Sequence, residues 1–392
     1  MSATEAANRR VTIAGGGIAA LELTLALRDL AGDVAIELLT PATESDYRPL
    51  AVLEPFALGE MPSMSIAHFA EEQRAVLHRG TLAGVDLEGS SLTTGAGEQR
   101  PFDLLVVAAG ARPVEAITGS LTFRGHGDQR RLGLVLEDYA AEALTRLVFA
   151  VPAAQAWTLP AYELALMSRA SLAERGVGGI ELAVVTPEEA PLEMFGPEAS
   201  EAIAGLLDQA DIELHTGLTP RRLEHSVLEV DGGDDQKADR VVALPRLLGP
   251  GLRGLPTDDH GFIPTDEHGL VDGLTDIYAA GDVTAYPVKQ GGLATQQADA
   301  VAEAIAARLG ADIVPEPYRP VLRGLLITGA TARYLESGEG ASAALWSPQS
   351  KVVGRYLLPY LGGRAPDEDL LVEASEHSGV PVEVDLAAPR HG

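Results

Sequence analysis

Val11-Thr12-Ile13-Ala14-Gly15-Gly16-Gly17-Ile18-Ala19-Ala20-Leu21-Glu22-Leu23 is the stretch that decides the fold of this chain. Residues 11–14 suit a short buried strand, three glycines follow, and from 18 to 30 the apolar residues recur at helical spacing. A second strand is expected at 34–39. Strand, glycine turn, helix and strand in this order give Gly15-x-Gly17-x-x-Ala20 its meaning, because residues without bulky side chains let the backbone approach a pyrophosphate. The helix N-terminus behind the turn adds unpaired N–H groups and partial positive charge. Taken alone, the turn is a weak signal, since a Gly-rich βα connection that holds no ligand is its lesser alternative.

An acid about 20 residues further on ordinarily grips the ribose hydroxyls at the end of the second strand. Thr40 stands there instead. Its hydroxyl can bond a sugar without charge assistance, so the grip is expected to be weaker or shared with Glu22 or Arg79. Glu22 is equally placed to be a surface residue of the first helix.

Further along, 81–94 alternates around glycines like a small antiparallel insertion, and 102–109 is an apolar strand ending in Gly110. A second unit then begins, with strands at 147–151 and 180–185 around a helix at 160–175. Leu38-Leu39-Thr40-Pro41 and Val184-Val185-Thr186-Pro187 end their strands alike, a weak internal repeat consistent with duplicated βαβ modules. A strand at 240–244 and a Gly-punctuated loop at 261–271 lead to Asp276-Ile277-Tyr278-Ala279-Ala280-Gly281-Asp282 and an Ala-rich helix at 293–309. After Tyr318 the pattern is less legible, with a strand expected at 325–328 and an acidic, mobile tail.

Composition narrows the functions open to the chain. Its 392 residues, 46% hydrophobic, can fill more than one core, and a formal charge of −28 repels nucleic acid and anionic lipid. The absence of cysteine removes disulfides, thiolate metal sites, iron–sulfur ligation and dithiol relays. The nine histidines show no metal-ligand spacing. The N-terminal residues have no apolar core of a leader, and no stretch reaches membrane-spanning length, so a cytoplasmic protein is expected. All but three of its 29 basic residues are arginine, the exceptions being Lys237, Lys289 and Lys351.

The glycine turn, Phe102-Asp103-Leu104-Leu105-Val106-Val107-Ala108-Ala109-Gly110-Ala111-Arg112-Pro113 and the Gly281-Asp282 segment occur together in one register. Together they resemble the FAD-binding pattern of the two-dinucleotide-domain flavoproteins, the pyridine-nucleotide–disulfide reductase superfamily, over about residues 10–310. The branch of sulfide:quinone oxidoreductases, flavocytochrome c sulfide dehydrogenase and type II NADH dehydrogenases is the most similar. Tyr47-Arg48-Pro49-Leu50 and Lys289-Gln290-Gly291-Gly292-Leu293 carry that likeness. It implies FAD contacts from Gly15, Gly17, Ile18, Ala19, Ala20 and Thr40, from Arg48, Pro49 and Leu82, and from Ala109, Gly110 and Arg112. It implies the same of Gly281, Asp282, Lys289, Gly291, Gly292 and Leu293. Asp282 inherits the role of binding the flavin's ribityl or pyrophosphate part.

The implied fold is α/β, with two Rossmann-like three-layer domains, the second inserted in the first, and a C-terminal α+β segment. The boundaries expected are 1–115 with 255–315, then 116–254, then 316–392. In the second unit the Gly-rich motif of nicotinamide-using relatives is replaced by the glycine-free run from Val151 to Glu163, which disfavours tight NAD(P)H binding. Trp157 lies where the sulfide-oxidising relatives carry a redox cysteine, and serves either to stack on a substrate or to fill space.

Two residues are the catalytic candidates. Glu163, matched to an acid that points toward the flavin in relatives, is either a proton donor or acceptor or a first-turn helix acid. Lys289 is either a cation that stabilises anionic reduced flavin or a solvated loop lysine. The apolar residues Trp346, Val352, Val353, Tyr356, Leu357, Tyr360 and Leu361 are expected to pack over the flavin domain rather than to reach a membrane, and Pro348 and Pro359 limit any helix there.

The function expected is an FAD-dependent oxidoreductase. It would pass electrons between a small molecule, for which a quinone is a candidate, and a partner or oxygen, without a cysteine relay. An NAD(P)H dehydrogenase of the type II kind and a flavin-carrying binding protein are the alternatives, and a dimer is the oligomer expected.

Overall fold

The structure is a computed structural model that describes residues 9–59, 61, 63–125, 127–140, 144–153, 157–329, 332–337, 351 and 354–362. The first unit opens with β1 (Arg10–Ala14), α1 (Ile18–Ala31), β2 (Ala35–Thr40), β3 (Val76–Arg79) and β4 (Leu104–Val107). The second contains α2 (Gln129–Ala140), β5 (Arg146–Ala150), α3 (Leu159–Glu174), β6 (Glu181–Val185), β7 (Ile212–His215) and β8 (Arg240–Ala243). The chain then returns through β9 (Ile277–Ala279) and α4 (Gly291–Arg308), and closes with the hairpin β10 (Leu322–Ile327) and β11 (Ala332–Ser337) and the short helix α5 (Leu357–Gly362).

Both units are parallel sheets. The first has the order β9-β4-β1-β2-β3, and the second runs from the short strand Leu121–Thr122 through β8, β5 and β6 to β7. β4 is apolar throughout and β1 is buried from Val11 to Ala14, because both faces of their sheet are covered. Val11, Ile13, Leu104 and Val106 pack under α1 and α4, while Leu105 and Val107 face Val85, Leu92 and Phe102 of the antiparallel meander built on Leu82–Asp86, Ser91–Thr94 and Gln99–Pro101. The second sheet repeats the plan. Phe149 and Val184 pack toward α3, and Val148, Ala150, Ala183 and Val185 face Leu228 of a second meander.

The Thr-Pro repeat marks equivalent places, since β2 and β6 are each the strand next to their unit's first. Gly15 N–H bonds Leu39 O at 3.0 Å, and Val151 N–H bonds Val185 O at 2.9 Å, the same crossing in each unit.

Some elements differ from expectation at their ends. The strand expected at 102–109 is confined to β4, because Ala108 and the residues after it turn toward the cleft. α4 starts earlier than expected, at Gly291, because the Gln290 side chain caps it by accepting Leu293 N–H at 2.9 Å. β10 is longer than expected, its N-terminal half disguised by Arg323 and Gly324. Pro359 sits within the first turn of α5, where a missing N–H costs little. Leu357 enters the core of the first unit with Tyr356, Tyr360 and Leu361 packed against it. Trp346, Pro348, Val352, Val353 and the acidic tail lie outside the described residues.

Candidate active site

A cavity of about 760 Å³ opens along the C-terminal ends of β1, β2 and β4 and runs between the units to α3 and β10. Its glycines divide by what surrounds them. A Cβ on Gly15 would stand 2.1 Å from the Ala108 carbonyl oxygen, so only glycine lets β1 and β4 close at the turn. A Cβ on Gly17 would meet nothing within 4 Å, because this position faces the open cleft ahead of α1. Gly281, at φ +80°, lies so near α1 that a Cβ would come within 2.9 Å of the Ala19 Cβ. The arrangement is a backbone cradle of the kind a pyrophosphate needs, with the α1 N-terminus pointing at it.

Most residues singled out by resemblance line this cavity: Gly15, Gly17, Ile18, Ala19, Thr40, Arg48, Pro49, Leu82, Ala109, Gly110, Gly281, Asp282, Lys289, Gly291, Gly292 and Glu163. Ala20, Arg112 and Leu293 do not. Ala20 is buried against the first sheet and Leu293 lies in the core of the second unit, because a helix turns those positions away from its own mouth. Arg112 is exposed in a short antiparallel pairing with Leu248. Neither residue considered for sharing the ribose grip reaches the cleft. Glu22 is fully buried on the far side of α1, and Arg79 bonds the Ala42 carbonyl. Thr40 lines the cleft with its hydroxyl toward Ala42 N–H at 3.3 Å.

Asp282 lies beside Lys289 and Arg48. Desolvation raises its pKa, and the two cations oppose the shift. Lys289 is lowered to about 8 by burial, partly offset by Asp282 and Asp258. Its ammonium donates to the carbonyls of Thr284 and Tyr286 and sits 3.9 Å from the centre of the Phe262 ring, so it is a fixed group and not a waving loop lysine.

Also lining the cleft, Glu163, wholly buried in the first turns of α3, accepts the N–H of Ile327 at 2.9 Å and pairs with Lys351 at 2.6 Å. Lys351 Nζ also lies 3.3 Å from Pro49 O, and its own carbonyl accepts the Tyr47 hydroxyl at 2.7 Å. Burial raises the Glu163 carboxyl, with Lys351 as the chief opposing influence. The surrounding wall includes Phe123, Leu159 and Leu325, and Trp157, whose ring stands 5.9 Å from that of Phe195 with its edge against Gly324. Trp157 therefore both fills space and lines the cleft.

Sequence reasoning missed Lys351 and Arg323, both of which line the cavity. One signal was available for the first. In a chain that uses arginine almost everywhere, two of its three lysines stand in this cleft, and lysine is the cation whose charge a buried site can tune.

Above the C-terminal ends of β5 and β6, where the second unit would receive a nucleotide, Glu188 is 1% exposed. It accepts the hydroxyls of Thr158 at 2.9 Å, Tyr162 at 2.6 Å and Thr186 at 2.8 Å. The acid near the end of this unit's second strand is satisfied by its own chain. Among the described residues no group of three or more His, Asp and Glu side chains is placed to hold a metal, and no helix is long and apolar enough to cross a membrane.

Residues 160–306 match the family model described as pyridine nucleotide-disulphide oxidoreductase. The structure superposes on the sulfide:quinone oxidoreductase of Aquifex aeolicus with a TM-score of 0.77 and 18% identity, over 84% of this chain and 83% of that one. The chain has the fold of the pyridine nucleotide-disulphide oxidoreductases. These are FAD-dependent enzymes, and the expectations of fold, superfamily and FAD agree with the match. The same flavoprotein fold is found in a ferredoxin reductase of Rhodopseudomonas palustris (TM-score 0.63, 21% identity, 81% and 80% covered). It recurs in NDH2 of Plasmodium falciparum solved with NADH (0.59, 13%, 71% and 64%). No curated protein sequence matches the chain.

Proposed function

We propose that this flavoprotein passes two electrons between bound FAD and a quinone-type small molecule, with a second partner or oxygen completing the cycle and no cysteine relay. The observation that carries this reading is the buried Glu163–Lys351 pair, which opens on the cleft beside an apolar wall suited to a flat ring. FAD, when bound, supplies the two-electron chemistry. Gly15 to Ala19 and Asp282 would hold its diphosphate and ribityl part. Lys289 fixes positive charge beside Asp282 in the same cleft.

A hydroquinone that gives up two electrons must also release two protons. One would leave with the electron pair, and the Glu163 carboxylate, whose proton affinity is raised by burial, can accept the other at its carboxyl oxygen, with Lys351 compensating that carboxylate before the transfer. The lack of cysteine closes the thiol route for sulfide. The self-satisfied Glu188 cluster supports a donor other than a nicotinamide nucleotide, because ribose binding there would have to displace three internal hydrogen bonds.

An anaerobic spectral titration tests the proposal. A hydroquinone is expected to bleach the bound flavin, with NADH, NADPH and sulfide slow or inert. Rapid bleaching by NADH at one equivalent, or a denatured extract without FAD, refutes it.

A further inference from the structure

Lys351 reaches Glu163 from the C-terminal segment, and that segment is fastened to the first unit by a second acid cluster outside the cleft. Glu22 of α1 is fully buried. Its Oε1 accepts the N–H of Tyr356 at 2.8 Å and its Oε2 that of Leu357 at 2.7 Å. Gly354, at φ +116°, presses so closely that a Cβ there would stand 2.5 Å from Glu22 Oε2. Lys351 lies three residues before this glycine.

Asp299 approaches from α4, within hydrogen-bonding reach of Glu22, and its buried Oδ1 has no hydrogen-bond partner. Two carboxylates in contact away from water cannot both keep their charge at little cost. One proton resolves the arrangement. A protonated Asp299 donates to Glu22, and Glu22 keeps lone pairs for the N–H groups of Tyr356 and Leu357.

We infer that Glu22 and Asp299 are positioning residues of the active site: sharing one proton, they hold the turn 354–357 against α1 and α4 and thereby hold Lys351 against Glu163. The catalytic consequence rests on the proposed role of that ion pair, whereas the fastening of the segment stands apart from it. The other charged groups facing the cluster are Glu303 of α4, paired with Arg355 at 3.8 Å, and Asp29 of α1, 3.4 Å from the Tyr356 hydroxyl. Desolvation raises both Glu22 and Asp299; Glu303 reinforces the rise at Asp299 and Arg355 opposes it. Tyr356, pushed up to about 12, keeps its proton over the working range.

The fastening is therefore present below the raised carboxyl pKa and is lost as pH rises through it. Release linked to one proton grows about tenfold per pH unit beyond that point.

The experiment is limited trypsin cleavage of the FAD-loaded protein after Lys351 and Arg355 across neutral to alkaline pH. Rates are normalised to a free peptide carrying the same sites, because cleavage of an opened segment follows its population. The wild type is expected to show the tenfold-per-unit rise. Asp299→Asn, whose amide donates to Glu22 at every pH, is expected to be flat and slow. Glu22→Gln, which exchanges an acceptor for a donor opposite a backbone N–H, is expected to be fast throughout. One component of the wild-type flavin absorbance should move with the cleavage transition toward that of Lys351→Met, and Asp299→Asn should lack this component while keeping the change due to Lys289.

A flat wild-type profile, a wild-type slope retained in Asp299→Asn, or a flavin spectrum that ignores the cleavage transition overturns the inference. If the chain binds no FAD, the cleavage arm still decides the fastening while the proposed function falls by itself.

Discussion

Replacing Lys351 by methionine keeps the volume of the side chain and removes the partner of a wholly buried carboxylate. At the 2.6 Å separation, and with an effective dielectric near 20, the direct attraction is on the order of 6 kcal/mol, most of which offsets the desolvation of the two charges. What the variant loses is the compensation, and stranding a buried charge typically costs about 3–5 kcal/mol. Glu163 has an escape, because it can take up a proton, and each pH unit of acidification makes that easier by about 1.4 kcal/mol.

The sign follows from the direction of the shift. Burial already raises Glu163 with Lys351 present, so removing Lys351 raises it further, and the penalty grows as pH rises and shrinks as it falls. Between pH 7 and pH 5 the penalty should fall by up to about 2.7 kcal/mol. Detachment of the C-terminal segment caps the loss at its docking free energy, because local opening is cheaper than global unfolding. Urea unfolding of Lys351→Met, Glu163→Gln and the double variant at both pH values measures this, with the double variant expected to recover about 2 kcal/mol of the single-variant loss. A Lys351→Met penalty below about 1 kcal/mol at pH 7, or one that does not shrink on acidification, refutes the buried pair.

Gly15→Ala forces a Cβ onto the Ala108 carbonyl and is expected to cost at least about 2 kcal/mol of stability, whereas Gly17→Ala meets no protein atom and is expected to fold normally with reduced FAD content. Thermal melts and flavin assays of the two variants separate the effects. Tyr162→Phe removes a 2.6 Å hydrogen bond to Glu188 and is expected to cost about 1.5–3 kcal/mol in urea unfolding. Lys289, lowered to about 8, loses its charge as pH rises through that value. A pH titration of the flavin absorbance is expected to show an inflection near 8 that Lys289→Met lacks.

The β1-turn-α1 stretch was legible because each constraint on it is local: an apolar strand, a turn where a Cβ would strike Ala108, and helical spacing after it. The Thr-Pro repeat was legible for the same reason, and it marks equivalent strands. Glu22 was not. Its position in the helix could be read, but that it points at the Tyr356 and Leu357 amides depends on a partner 334 and 335 residues away. Glu188 escaped notice because its three hydroxyl partners come from two separate segments. Lys351 lies in a stretch with no periodicity, and its meaning appears only when the chain brings it to Glu163 across 188 residues.

That separation has a consequence during synthesis. At ribosomal rates of about 5–20 residues per second, roughly 10–40 s pass between the emergence of Glu163 and that of its counter-ion. Both parallel sheets and the glycine cradle are made before Lys351, so a nascent chain can fold around its cofactor before its chemistry is complete. On the proposed role of the pair, Lys351 completes the site last, and a chain interrupted before it lacks the counter-ion of Glu163.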